Sequence, residues 1–190
     1  MKLPVVAICG LTGAGKSTLA AVLEQAAVAL RVTRETTRRP RLDDDPSLVR
    51  CVARIEAHPG DVVFGGWGDE LYCLRASAVM EVRRKRCAPI VEVGEYRVAK
   101  EVVGAFAPGA VVMVVGASDP ETIRALGKAR SMSDGDIDRR IESIAEDRRE
   151  LEIGQGEADF VLQNLGTVAD FKMQTIRLID ALGIERRARS

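Results

Sequence analysis

Gly10-Leu11-Thr12-Gly13-Ala14-Gly15-Lys16-Ser17 follows directly on an apolar stretch and leads directly into a helical pattern. Each residue type in it supplies something that a bound anion needs. Glycines let the backbone wrap tightly and turn successive N–H groups inward, and the first turn of a following helix adds unpaired N–H groups and the positive end of its dipole. Lys16 contributes a point charge and Ser17 a hydroxyl suited to a hard cation. The run fits the phosphate-binding pattern G-x-x-x-x-G-K-[ST], so residues 10–18, ending at Thr18, are expected to hold ATP. Lys16 would meet the β- and γ-phosphates and Ser17 the Mg2+.

A second group of charges follows. Arg31, Arg34, Arg38, Arg39 and Arg41 crowd into residues 31–41, and the acidic turn Asp43-Asp44-Asp45-Pro46 comes next. Transfer of a phosphoryl group between two anions needs positive charge on both sides of it, because negative charge builds on its equatorial oxygens. Arg38 and Arg41 could hold the phosphate of an acceptor, while Arg130 and Arg140 flank a polar segment that could close over the donor. The plainer alternative is a solvated loop whose arginines pair with the aspartates just downstream. A nucleic-acid patch is disfavoured, since no aromatic residues are interleaved for base stacking. Glu92 ends an apolar strand and could orient Mg2+ through water, contact the acceptor, or make a structural hydrogen bond.

These groups need a scaffold, and the periodicity supplies an alternating one. Residues 3–9 read as a buried parallel strand and 17–30 as an amphipathic helix with Leu19, Leu23 and Leu30 on its apolar side. Residues 47–57 carry helical spacing through Leu48, Val52 and Ile55, and two short strands at 61–66 and 69–74 form an expected antiparallel pair. Helix 78–86, strand 89–93, helix 95–106 and strand 110–116 follow, then a helix capped by Ser118 with Glu121 three residues on. A helix at 136–151, a strand at 159–163 and a helix at 168–182 complete the chain. The expected architecture is a three-layer α/β P-loop NTPase fold with a parallel sheet, residues 34–86 as an inserted acceptor-binding lobe and 127–136 as a lid.

Composition narrows the class. With 190 residues, 46% of them hydrophobic, one compact domain can bury a real core. Lys plus Arg and Asp plus Glu are equal at 28 each, so net charge recommends neither nucleic acid nor an anionic membrane as partner. Cys9, Cys51, Cys73 and Cys87 have no C-x-x-C pairing and His58 completes no zinc spacing with them, which suits thiols in a reducing compartment. No apolar run approaches membrane-spanning length, and a cytoplasmic monomer or homodimer is the expectation.

At these residues the sequence resembles the guanylate kinase family. The P-loop, Thr36-Thr37-Arg38-Arg39-Pro40-Arg41 against the family's T-T-R-x-P-R loop, Leu71-Tyr72 near its Y-Y-G segment, Ile137 to Ile141 against its I-x-x-R-[LI] helix and the strand ending at Asn164 carry the likeness. The resemblance implies ATP-dependent phosphorylation of a nucleoside monophosphate, GMP or dGMP. It implies Thr37, Arg38, Arg41 and Tyr72 at the acceptor phosphate, with Arg130 and Arg140 on the transferring group. Arg34 stands where the family has serine, Cys73-Leu74 replaces Tyr-Gly, Leu165 replaces Asp, and no glutamate near Val63 or Phe64 matches the guanine-reading one. Those departures leave two rivals open: a related ribose bisphosphate kinase, whose Thr-Arg loop Thr33-Arg34-Glu35 also resembles, and an inactive guanylate-kinase-like interaction module.

Overall fold

The structure is a computed structural model that describes residues 3–41, 44–66, 68–116, 119–129, 132–142 and 144–186. Its elements run β1 Val5–Cys9, α1 Lys16–Ala26, β2 Ala29–Arg31, β3 Arg34–Thr36, β4 Val49–Cys51, β5 Val62–Gly65, β6 Leu71–Leu74 and α2 Ala76–Arg84. There follow β7 Ala88–Glu92, α3 Tyr96–Ala105, β8 Gly109–Gly116, α4 Pro120–Ala129, α5 Asp134–Glu142, α6 Ile144–Glu157, β9 Phe160–Asn164 and α7 Val168–Ala181.

Five strands make a wholly parallel sheet in the order β2-β7-β1-β8-β9. Every residue of β1 is buried, as a strand covered on both faces requires. Alternate residues point to opposite sides. Val5, Ala7 and Cys9 pack with Val79 and Val82 of α2 and Val98, Ala99 and Val102 of α3. Val6 and Ile8 pack with Leu19 and Leu23 of α1 and Phe171, Leu178 and Ile179 of α7. Helices therefore cover the sheet on both sides, giving three layers with the cores between them.

A separate four-stranded sheet, ordered β4-β3-β6-β5, occupies the middle of the chain. β5 and β6 pair antiparallel as the sequence predicts, with Val63 opposite Cys73. Its apolar side is not independent: Val62 and Leu74 join the core formed by β1 and α2. Across it runs an ion network in which Arg75 bonds Glu35 and meets Asp61 at 2.7 Å. Burial pushes the Asp61 carboxyl up, but hydrogen bonds from the Ala76 and His58 N–H groups and from Arg75 outweigh that and hold it below the usual carboxylate range.

Two elements differ from the sequence-based expectation. The helix expected over 17–30 stops at Ala26, and Ala29–Arg31 is instead an edge strand paired with β7, Ala29 opposite Ala88. Leu30 continues the helical spacing by coincidence; the backbone partner that decides its state lies far along the chain. No helix forms over 47–57: a turn at 46–48 leads into β4, whose Val49 pairs with Arg34 of β3, and Val52 N–H donates to the Thr36 carbonyl. The helix expected at 136–151 is helical wherever it is described, as α5 up to Glu142 and α6 from Ile144, residue 143 lying outside the described residues. At the start of α4, Ser118 lies outside the described residues, and Asp119 accepts from the N–H and hydroxyl of Thr122, both at 2.8 Å.

Among the described residues no helix is long and apolar enough to cross a membrane, and the four cysteines are free thiols.

Candidate functional site

The chemistry-bearing residues collect at the carboxyl ends of the parallel strands, where an open α/β sheet leaves its crevice. The 10–17 loop leaves β1, Arg31 ends β2, Glu92 ends β7, Gly116 ends β8 and Asn164 ends β9.

The loop is packed closely from two sides. Gly10, at φ 138°, would drive a Cβ well inside contact distance of the Val114 carbonyl oxygen, and Gly15, at φ 105°, would set one 2.5 Å from Asn164 Nδ2. Only glycine meets both demands at these positions. Asn164 Nδ2 donates to the Ala14 carbonyl at 3.0 Å, and Gly15 serves as N-cap of α1 in the left-handed conformation. Lys16 Nζ donates to the carbonyls of Gly10 (2.7 Å) and Leu11 (2.9 Å), so the ammonium folds back over the loop. Ala14 is buried, Leu11, Thr12, Gly15 and Lys16 are half-buried, and Gly13, Ser17 and Thr18 are exposed.

Ser17 Oγ donates to Glu92 Oε2 at 2.7 Å. The structure thus joins the loop hydroxyl to the carboxylate that sequence reasoning left with three roles. Glu92 also faces Arg31, whose Nη1 lies 3.9 Å from Oε1, while Arg34 Nη1 donates to the Glu92 backbone carbonyl at 2.8 Å. Arg31 is held from its other side by Glu24 at 2.9 Å.

Beyond Glu92 a cavity of about 170 Å³ opens, lined among others by Ser17, Arg31, Arg34, Arg38, Arg41 and Asp44. Arg34 sits 5.8 Å over the ring of Tyr72, and burial lowers its pKa from the ordinary guanidinium value. Arg38 is 5% exposed. Its Nη1 donates to Asp44 Oδ2 at 2.8 Å and to the Arg39 carbonyl at 2.9 Å, and its Nη2 donates to Asp44 Oδ1. Burial works against the charge on Arg38, but the hydrogen bond to Asp44 overrides it and raises the pKa. Asp44 shows the mirror effect: burial pushes it up, while Arg38 and the Arg41 N–H, at 2.7 Å, bring it below the usual range. The Nε atoms of Arg34 and Arg38 are buried without a hydrogen-bond partner.

Not every expected residue reaches this space. Thr37 bonds β6, its N–H donating to the Leu71 carbonyl and its Oγ1 accepting from the Leu71 N–H. The Tyr72 ring stacks on Phe64 with centroids 5.5 Å apart, outside the residues lining the cavity. Arg140 is half-buried in α5, which packs on α4. Arg130 lies outside the described residues. In the expected lid, Gly127 belongs to α4 and is small because Ile137 of α5 packs against it.

Sequence reasoning missed three participants. Arg31 was only one of five crowded arginines, Asp44 one of three consecutive aspartates, and Asn164 merely a strand end. Placing the acidic turn just after the arginines is a visible signal for the second; nothing local reveals the other two.

No protein-family model matches the sequence, and no curated protein matches it. A guanylate kinase from Anaplasma phagocytophilum superposes with a TM-score of 0.60 at 14% identity, over 96% of this chain and 86% of its own. The chain has the guanylate kinase fold. A protein of Thermus thermophilus (TM-score 0.49, 18% identity, 95% of this chain and 98% of its own) overlaps less closely. A dephospho-CoA kinase from Campylobacter jejuni reaches a TM-score of 0.33 at 16% identity, over 57% of this chain and 50% of its own. What the guanylate kinase fold contributes here is the parallel sheet with its small separate sheet.

Proposed function

We propose that the protein transfers a phosphoryl group from ATP to a small phosphorylated acceptor, GMP or dGMP being the acceptor that the Thr36 to Arg41 loop favours. The observation that carries this reading is continuity: one cavity runs from Ser17 and Glu92 to Arg34, Arg38 and Arg41. A group held at the loop and an anion held at the arginines would share it, which is the arrangement that positioning catalysis needs.

The residues fit both ligands. The loop of residues 10–18, pinned at Gly10 and Gly15, would hold the donor phosphates with Lys16, whose carbonyl contacts are exchangeable for phosphate oxygens. Ser17 and Glu92 form a pair of oxygen donors suited to Mg2+, which when bound would neutralise charge between the phosphates. Arg34, Arg38 and Arg41 would orient the acceptor phosphate, and residues 127–136 with Arg130, together with Arg140, would close over the donor and exclude water. The residues 34–86 would then serve as the acceptor lobe.

A second reading has its own support. No aromatic side chain lines the cavity among the described residues, whereas four arginines do. A ribose bisphosphate or similar sugar phosphate fits such a space without a base to stack. The deciding experiment is a coupled ADP-release assay across ribo- and deoxynucleoside monophosphates and ribose bisphosphate. Turnover of GMP or dGMP supports the first reading; turnover of the sugar phosphate with inert nucleotides installs the second. Failure of all acceptors, with ATP unbound, removes the kinase assignment.

A further inference from the structure

Arg38 spends its whole planar fork on a neighbour in its own loop. Both terminal nitrogens donate to Asp44, one to each carboxylate oxygen, and the Arg41 N–H donates to Asp44 Oδ2 at 2.7 Å. Two oxygens gripped by a guanidinium fork with a backbone amide in support is also how a phosphate is held. Asp44 is only 15% exposed at its side chain and lines the same cavity as Ser17 and Glu92. It brings one negative charge among Arg34, Arg38 and Arg41, and two buried Nε donors remain unmatched with Asp44 in place. Four arginines line the cavity against the carboxylates of Asp44, Asp45 and Glu92, so the lining stays net positive with Asp44 in place and holds donors that Asp44 does not satisfy.

We infer that Asp44 is an internal competitor of the acceptor's phosphate for the Arg38 fork, so that binding requires exchange of one for the other and singly charged anions are turned away. The inference rests on the phosphoryl-transfer reading for its ligand, a phosphomonoester. A tethered carboxylate acts at an effective concentration in the millimolar range or above. The apparent dissociation constant of an incoming anion rises in inverse proportion to the fraction of forks left open. A phosphomonoester carries a charge of roughly −1.5 to −2 and three acceptor oxygens, which can engage the spare donors as well as the fork. An acetate-like anion offers nothing that Asp44 does not already give, and it pays the exchange in full.

Calorimetric titration of the full chain with inorganic phosphate and, separately, acetate tests this. Asp44→Asn keeps the shape and an acceptor for the Arg41 N–H but surrenders the charge; Asp44→Ser serves if the first variant fails to fold. Phosphate should bind the variant about tenfold more tightly than the unaltered protein, and acetate should bind the variant alone. Both gains should vanish in Arg38→Ala/Asp44→Asn, which separates this site from the anion-binding loop at Lys16. Equal or weaker phosphate binding by the single variant would overturn the inference and make Asp44 a fixed support for Arg38. A gain that survives loss of Arg38 would overturn it too. Because the readout is binding of phosphate, a chain with no turnover on any acceptor would lose the kinase reading while leaving this result standing.

Discussion

The hydroxyl of Ser17 donates to Glu92 Oε2 across 2.7 Å, tying the first turn of α1 to the carboxyl end of β7. Replacing Glu92 by glutamine keeps the shape and removes the charge. If this pair holds Mg2+, turnover should fall by roughly ten- to a hundredfold, the worth of one charge-assisted contact. The Mg2+ concentration for half-maximal rate should rise with it. A lower rate at an unchanged Mg2+ midpoint would instead restrict Glu92 to holding Ser17.

Lys16→Ala addresses the other side of the loop. Its ammonium donates to the carbonyls of Gly10 and Leu11 at 2.7 and 2.9 Å, within the loop that carries it, so the fold should survive its loss. Removing one preorganised positive group from developing charge costs about 2.7–4 kcal/mol, or on the order of a hundred- to a thousandfold in kcat. Thermal melting within about 2 °C of the parent, together with that loss, is the expected result. Near-normal kcat in the folded variant would be incompatible with phosphoryl transfer here.

Gly10→Ala should act on folding rather than on chemistry alone. The added methyl meets the Val114 carbonyl of β8 at a positive φ, and neither β1 nor β8 can yield because both are central strands. Strain of this kind costs on the order of 1–3 kcal/mol. For a chain of this size each kcal/mol lowers the melting temperature by about 2–4 °C. Melting curves therefore check it without any ligand.

The two halves of the site differ in how much of their geometry is local to the sequence. The strand-loop-helix around Lys16 is local, and its residues alone specify both its geometry and its position at the sheet's carboxyl edge. β7 and β8 were also legible, since buried strands are continuous apolar runs, and β9 was legible from its shorter run Phe160 to Leu162 although, at the sheet edge, it buries only Leu162. β2 and β4 were not. Each is three residues long, and each owes its state to pairing, with β7 and β3 respectively, rather than to its own spacing. The arginine loop was half legible. An arginine-aspartate pairing could be foreseen from the adjacent charges, but that reading assumed solvated side chains, whereas Arg38 is 5% exposed. Burial turns an ordinary surface pair into one whose geometry matters, and burial depends on the cover supplied by the rest of the fold.

Asp61 gives a pH dependence with a definite sign. Its pKa is held below the usual carboxylate value of about 3.9. Its charged form therefore stabilises the folded chain above roughly pH 4, and that contribution fades as pH falls through the lowered native pKa. Asp61→Asn should be less stable near neutrality, because Arg75 and the Ala76 N–H lose a charged partner. The gap in urea midpoint between the two proteins should narrow from pH 5 towards pH 2.5. A constant gap over that range would show that Asp61 acts by packing and not by charge.

Arg38 and Arg41 provide the separation of acceptor from donor. Arg41 lines the cavity and gives Asp44 its backbone N–H, a contact that Arg41→Ala keeps, so that substitution should not disturb folding. Arg38→Ala is different, because it strips Asp44 of the fork that compensates a largely buried carboxylate, and it should lower stability as well. Both substitutions should raise the acceptor KM by roughly ten- to a hundredfold, one charge-assisted phosphate contact being worth about 1.5–3 kcal/mol. ATP affinity should move little, since Lys16 and residues 10–15 of the loop are not among the residues lining the arginine cavity. Lysine at either position should rescue only in part, because an ammonium cannot make the two parallel bonds of a guanidinium. A solvated loop predicts small, equal effects on both substrates, exposed ion pairs being worth at most about 1 kcal/mol. Separate ATP and acceptor constants for the two variants, with melting temperatures alongside, distinguish these outcomes: a parallel loss of ATP affinity would mean the arginines serve the donor.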